Sequence, residues 1–174
     1  MRIIFLDIDG VLNDLNFDSS NPGKFFRPEA VQTLADIVHQ TGAKIVLSST
    51  WKHIKDCSKE KYPDAFRQWQ QLINTLAVYN LEIFDTTPNI NTNRPLEISE
   101  WLKTHDDISS WVSIEDDFPP KDYAKYGYEN HLFRTEYFVP PNYIGGLKTE
   151  HIPQILQMFE EQEQGGHENY GEKV

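Results

Sequence analysis

The run Ile3-Ile4-Phe5-Leu6 breaks off into Asp7-Ile8-Asp9-Gly10, and no other junction limits the possible folds of this chain so tightly. A segment apolar at every position, rather than at alternate ones, belongs to a strand covered on both faces, as a central strand of a parallel sheet is. Parallel neighbours need a crossover, usually helical. Residues 28–40 supply one: Val31, Leu34, Ile37 and Val38 fall at helical spacing, Pro28 suits a first turn, and Gly42 stands where a C-terminal cap belongs. Ala43-Lys44-Ile45-Val46-Leu47 reads as a second buried strand, completing a right-handed βαβ unit.

The pattern then recurs. Phe66, Trp69, Leu72, Ile73 and Leu76 predict a helix over 63–79, and Leu81-Glu82-Ile83-Phe84 a short third strand. Pro95 opens a helix with Ile98, Trp101 and Leu102 on one face; Trp111-Val112-Ser113-Ile114 is a fourth strand, ending in Glu115-Asp116-Asp117. After a Pro- and Tyr-rich loop, His131-Leu132-Phe133-Arg134 adds a fifth, edge strand, and Thr149 caps a last helix with Ile152, Ile155, Leu156 and Phe159 inward. The expected fold is α/β: a three-layer, Rossmann-like sandwich around a parallel sheet of about five strands. One domain over 1–159 accounts for it, with 160–174 read as an acidic, disordered tail and no internal repeat in sight.

The apolar start is too short for a signal-peptide core or a membrane span, so a cytoplasmic location is expected. A single cysteine, Cys57, rules out an internal disulfide and a thiolate metal site, and we read it as incidental. The net charge of −11 argues against broad attraction to nucleic acid or anionic membranes. Lys52, Lys55, Lys59, Lys61 and Arg67 do cluster, but Asp56, Glu60 and Asp64 dilute them into a solvated surface.

In open parallel sheets, ligands bind beyond the carboxyl ends of the strands. Three such ends carry polar residues: Asp7 and Asp9; Ser48, Ser49 and Thr50; Asp116 and Asp117. Carboxylates converging on one crevice repel unless a cation sits among them. Asp7, Asp9, Asp116 and Asp117 offer only oxygen, which selects a hard ion, and Mg²⁺ is the best match because it also bridges to phosphate.

Asp-Ile-Asp-Gly-Val-Leu after a hydrophobic strand resembles the first motif of the haloacid dehalogenase (HAD) superfamily. Ser48 matches its second motif, Arg94 stands at the third-motif cation, and Asp116-Asp117 matches the acidic fourth motif. Asp-Gly-Val-Leu-Asn, Leu-Ser-Ser-Thr-Trp-Lys and the Arg94 to Leu102 segment look most like the small HAD domains associated with RNA-repair proteins. The resemblance implies a phosphatase in which Asp7 attacks phosphorus to form an aspartyl-phosphate and Asp9 serves as acid and then base. Asp9, Gly10, Ser48, Ser49 and Arg94 would bind the phosphoryl group. One Asp of the 116–117 pair would hold the metal, the other Arg94 or a metal-bound water. Lys52 and Lys121 are substitutes for Arg94, and Trp51 reads as core.

Residues 11–27 are too few for a cap domain, and 52–93 are filled by a helix and a strand, so the site should be open. An open site suits a large substrate such as a nucleic-acid end or a phosphoprotein, or closure by another subunit, and the favoured reading is a nucleotide or polynucleotide terminal phosphate. Alternatives at this level are a small-molecule or phosphoprotein phosphatase of the same mechanism, and a catalytically silent domain that recruits partners.

Overall fold

A computed structural model describes residues 1–13, 25–136 and 145–168, the last three of these as backbone only. Strands β1 (Arg2–Leu6), β2 (Lys44–Leu47), β3 (Ile83–Thr86), β4 (Ser110–Glu115) and β5 (Leu132–Arg134) form one sheet in the order β3-β2-β1-β4-β5. Every pairing in it is parallel. The connecting helices are α1 (Pro28–Thr41), α2 (Pro63–Val78), α3 (Arg94–Leu102), α4 (Pro120–Ala124) and α5 (Ile152–Glu168). The five-stranded, doubly covered parallel sheet expected from the sequence is the fold observed.

Strand geometry explains why β1 is apolar from Ile3 to Leu6, because successive side chains point to opposite faces. Ile4 and Leu6 join Val31 and Leu34 of α1, Leu72 and Leu76 of α2, and Ile155 and Phe159 of α5 in the larger core. Ile3 and Phe5 join Ile98 and Trp101 of α3 and Tyr123 of α4 on the other face. Phe5 lies edge-on to both Trp101 and Trp111, with ring centroids 5.3 and 5.4 Å away. Burying a side chain of this size contributes about 1.5–3 kcal/mol.

Three boundaries differ from the sequence reading, each for a local reason. β3 starts at Ile83 rather than Leu81, because Leu81 closes the end of α2: Asn80 is left-handed at φ 57° and the Leu81 amide donates to Leu76 O. α3 begins at Arg94 itself, with Asn93 Oδ1 accepting from the Leu96 amide. α5 does not fray at Glu160 but runs to Glu168, held to the sheet by side chains just beyond Glu160. Gln162 exchanges two hydrogen bonds with the Trp111 backbone, and Glu163 takes a two-pronged bond from Arg2. The rest of the expected tail, 169–174, lies outside the described residues, as does most of the 11–27 connection. Within the segment read as a loop after β4, α4 forms and buries Tyr123. No helix among the described residues is long and apolar enough to cross a membrane.

Candidate active site

Register brings the site together. Leu6 pairs with Leu47 of β2 and Ile114 of β4, so the next residues, Ser48, Asp7 and Glu115, form a row across the carboxyl ends of three adjacent strands. Backbone bonds extend the ladder into that row: Asp7 N donates to Ile114 O and Ser48 N to Leu6 O. All three side chains are buried, Asp7 at 7% exposure and Glu115 at 0%.

Arg94 enters from the first turn of α3. Its Nη1 lies 2.6 Å from Glu115 Oε2, 3.3 Å from Ser48 Oγ and 3.5 Å from Asp7 Oδ1. Burial alone would lower its pKa, but the charges of Glu115 and Asp7 outweigh that and hold it above the ordinary value, fully cationic. Phe118 covers the guanidinium at 5.4 Å.

Asp7, Glu115 and Asp116 each place a carboxylate oxygen within 4.8 Å of the others. Burial and then the Asp7 charge push Glu115 well above the usual carboxylate range; burial, Asp7 and Asp117 push Asp116 up to about 6. Among the described residues, Glu115 Oε1 is buried with no hydrogen-bond partner. Asp116 comes so close to the first turn that a Cβ on Gly10 would meet its Oδ2 at 2.1 Å, and Gly10 has φ +70°. Only glycine meets both demands.

A cavity of about 430 Å³ opens over the row, lined by Asp7, Asp9, Ser48, Arg94, Glu115, Asp116 and Asp117 together with Thr50, Lys52, His53, Thr92, Glu97 and Phe118. A domain with this five-stranded sheet and this polar row at its strand ends also matches a family model over residues 3–152, described as the HAD domain in Swiss Army Knife RNA repair proteins. The chain belongs to that family. No curated protein and no solved structure matches it significantly. Membership makes the chain a capless HAD domain and points to phosphatase-type chemistry for its acidic cluster.

Within the HAD domain, the expected residues sort by geometry. Asp7, Ser48, Arg94 and Asp116 converge. Asp9 lines the cavity but stands outside the acidic trio: its Oδ1 accepts from Asn13 Nδ2 at 2.9 Å and its Oδ2 from Trp51 Nε1 at 3.0 Å. Asp117 lies exposed on the rim. The carboxylate that holds Arg94 is Glu115, not a member of the 116–117 pair. Gly10, expected to face phosphate, instead gives its amide to Asn13 Oδ1, and Ser49 Oγ caps the short helical turn Thr50–Ile54. Lys121 is exposed and does not line the cavity. Lys52 does, yet all three ammonium hydrogens have acceptors, namely Glu97 Oε2 at 2.6 Å and Thr87 Oγ1 and Pro88 O at 2.9 Å. Neither lysine replaces Arg94.

Sequence reasoning missed Glu115, Asn13 and the polar role of Trp51. Glu115 was one register step from being found, since it shares its strand face with Ser113 and ends a strand buried along its whole length. Trp51 is core, as expected, at 8% exposure against Phe26, but a buried indole N–H also needs an acceptor, and Asp9 provides it.

The trio fits Mg²⁺. Its donors are all oxygen, one is an orphaned buried carboxylate oxygen, and the raised carboxyl pKa values mark negative charge that a cation would relieve.

Proposed function

We propose that this HAD domain is a Mg²⁺-dependent phosphatase that works through an aspartyl-phosphate on Asp7, with a nucleotide or polynucleotide terminal phosphate as substrate. The observation that carries the reading is the convergence of Asp7, Ser48 and the buried Arg94 on one cavity beside an acidic trio. Asp7, Glu115 and Asp116 would hold the metal. When bound, it supplies positive charge to the phosphoryl oxygens and to the carboxylates around them.

Asp7 attacks phosphorus while Arg94 and Ser48 orient the phosphoryl oxygens, the electrostatic service that matters most in this transition state. Asp9, on the cavity rim, gives its proton to the leaving oxygen and then takes one from the water that cleaves the aspartyl-phosphate. The family name supports an RNA-end substrate, and the uncapped site suits a large one. With a net charge of −11, recognition would centre on the terminal phosphate rather than on a long backbone track.

A panel of 3′- and 5′-phosphorylated oligonucleotides, nucleotides, sugar phosphates and phosphopeptides tests this, run with Mg²⁺, with EDTA and with Asp7→Asn. Turnover should require Mg²⁺ and Asp7 and favour oligonucleotide ends. Preference for sugar phosphates or phosphopeptides would contradict the substrate class, and metal-independent turnover the mechanism.

A further inference from the structure

Asp9 sits in the exposed turn beyond β1, where a carboxylate is ordinarily free to rotate, yet both of its oxygens are held. Trp51, three residues beyond Ser48, is anchored at 8% exposure with its ring 5.6 Å from Phe26, and its Nε1 donates to Asp9 Oδ2 at 3.0 Å. Asn13, at 2% exposure, donates from Nδ2 to Asp9 Oδ1 at 2.9 Å. Its amide cannot be turned the other way without loss, because its Oδ1 accepts from the Gly10 amide at 3.0 Å. We infer that Trp51 and Asn13 are positioning residues that fix Asp9 as the proton donor to the leaving group.

Donor identity gives the arrangement its sense. An indole N–H and an amide NH₂ can only donate, so a proton carried by Asp9 finds no acceptor in either and occupies a remaining lone pair. Asp9 lines the cavity, so we assign that lone pair to the cavity side. Trp51 also links the acid to the strand end that presents Ser48, so donor and phosphoryl holder keep one spacing. The step is balanced: the Asp7 oxygen bonds to phosphorus, the bond from phosphorus to the leaving oxygen breaks, and that oxygen takes the Asp9 proton.

This inference rests on the phosphatase reading, and leaving-group chemistry separates the two. An alkyl phosphate needs the proton, whereas p-nitrophenolate leaves as an anion without it. Trp51→Phe keeps a ring against Phe26 and deletes the N–H. It should lower kcat/KM for an alkyl phosphate by about tenfold or more and change that for p-nitrophenyl phosphate by no more than about twofold. Asn13→Ala should show the same selectivity and stands in if Trp51→Phe does not fold. Phe26→Leu loosens the same packing but keeps the N–H, so any loss should be equal for both substrates. Equal losses in Trp51→Phe or its stand-in, with the wild type active on both phosphates, overturn the inference alone. A wild-type chain inactive on both overturns the reading beneath it as well.

Discussion

Glu115 and Asp116 are carboxyls pushed upward by burial and by each other's neighbours, and that makes metal binding a proton-linked event. A ligand carboxyl must lose its proton before it can coordinate. Mg²⁺ affinity should therefore rise with pH through about 6, the value to which Asp116 is raised, and binding near that pH should release protons. Calorimetry in two buffers of different ionisation enthalpy reads both effects; a pH-independent affinity with no proton release would contradict them. Arg94 is the matching cation. Arg94→Ala strands Glu115 without its partner, so we expect a loss of about 3–5 kcal/mol in denaturant unfolding at neutral pH. Activity should fall about 10²–10³-fold, with Arg94→Lys between the two because an ammonium keeps the charge but not the planar guanidinium that lies over Phe118. At this scale the sequence pointed to Asp7 and Ser48, which follow apolar strands, and to Arg94 at the head of a helix, and the three side chains meet. It hid Glu115, because the neighbouring Asp116-Asp117 pair carries the same chemical signal, and only register against Asp7 separates them.

Between β3 and α3 the chain makes a turn that hydrophobic periodicity could not reveal, since polar side chains build it. Asn91 and Thr92 are both left-handed, at φ 53° and 55°, a conformation that non-glycine residues adopt at some cost. The Lys52–Glu97 ion pair holds them there. Glu97 Oε1 accepts from the Ile90 amide at 2.9 Å while its Oε2 meets Lys52, and Lys52 in turn reaches Thr87 and Pro88. Burial lowers the lysine pKa more than Glu97 restores it, and the pair borders the turn that leads to Arg94. Lys52→Met should destabilise by about 3–5 kcal/mol through the stranded Glu97, and Lys52→Met with Glu97→Gln should recover much of that. Urea unfolding of the two variants measures it; equal losses would show that the pair carries no such burden. The main elements, by contrast, were readable because β1, β2 and β4 are buried on both faces and read as short continuous runs, while α1 and α5 each bury one face at helical spacing. β3 slipped by two residues because Leu81 is apolar for the sake of the α2 terminus.

Taken as a whole, the molecule is a parallel sheet with its polar residues gathered at one end and a clamp at the other. Arg2 at the start of β1 and Ser110 at the start of β4 both donate to Glu163 of α5, which holds its carboxyl down at about 2. A depressed carboxyl stabilises the fold above its ordinary value of 4.5 and loses that contribution as pH falls toward 2. Glu163→Gln should lower the melting temperature at neutral pH, and the gap to wild type should close between those limits; a gap constant in pH would contradict the clamp. This part of the fold was not legible, because an acidic, Gln-rich stretch looks like solvent-facing tail until its partners on the sheet are known. The residues proposed for chemistry at the opposite end were legible, since they come from strand termini that the fold must bring together. That chemistry stands or falls on Asp7. The direct measurement is mass spectrometry of the acid-quenched chain turning over a phosphorylated oligonucleotide with Mg²⁺. The account predicts one phosphoryl group on the peptide containing Asp7, and neither adduct nor turnover in Asp7→Asn. Magnesium-dependent turnover that persists in Asp7→Asn, or an adduct on any other residue, would contradict it.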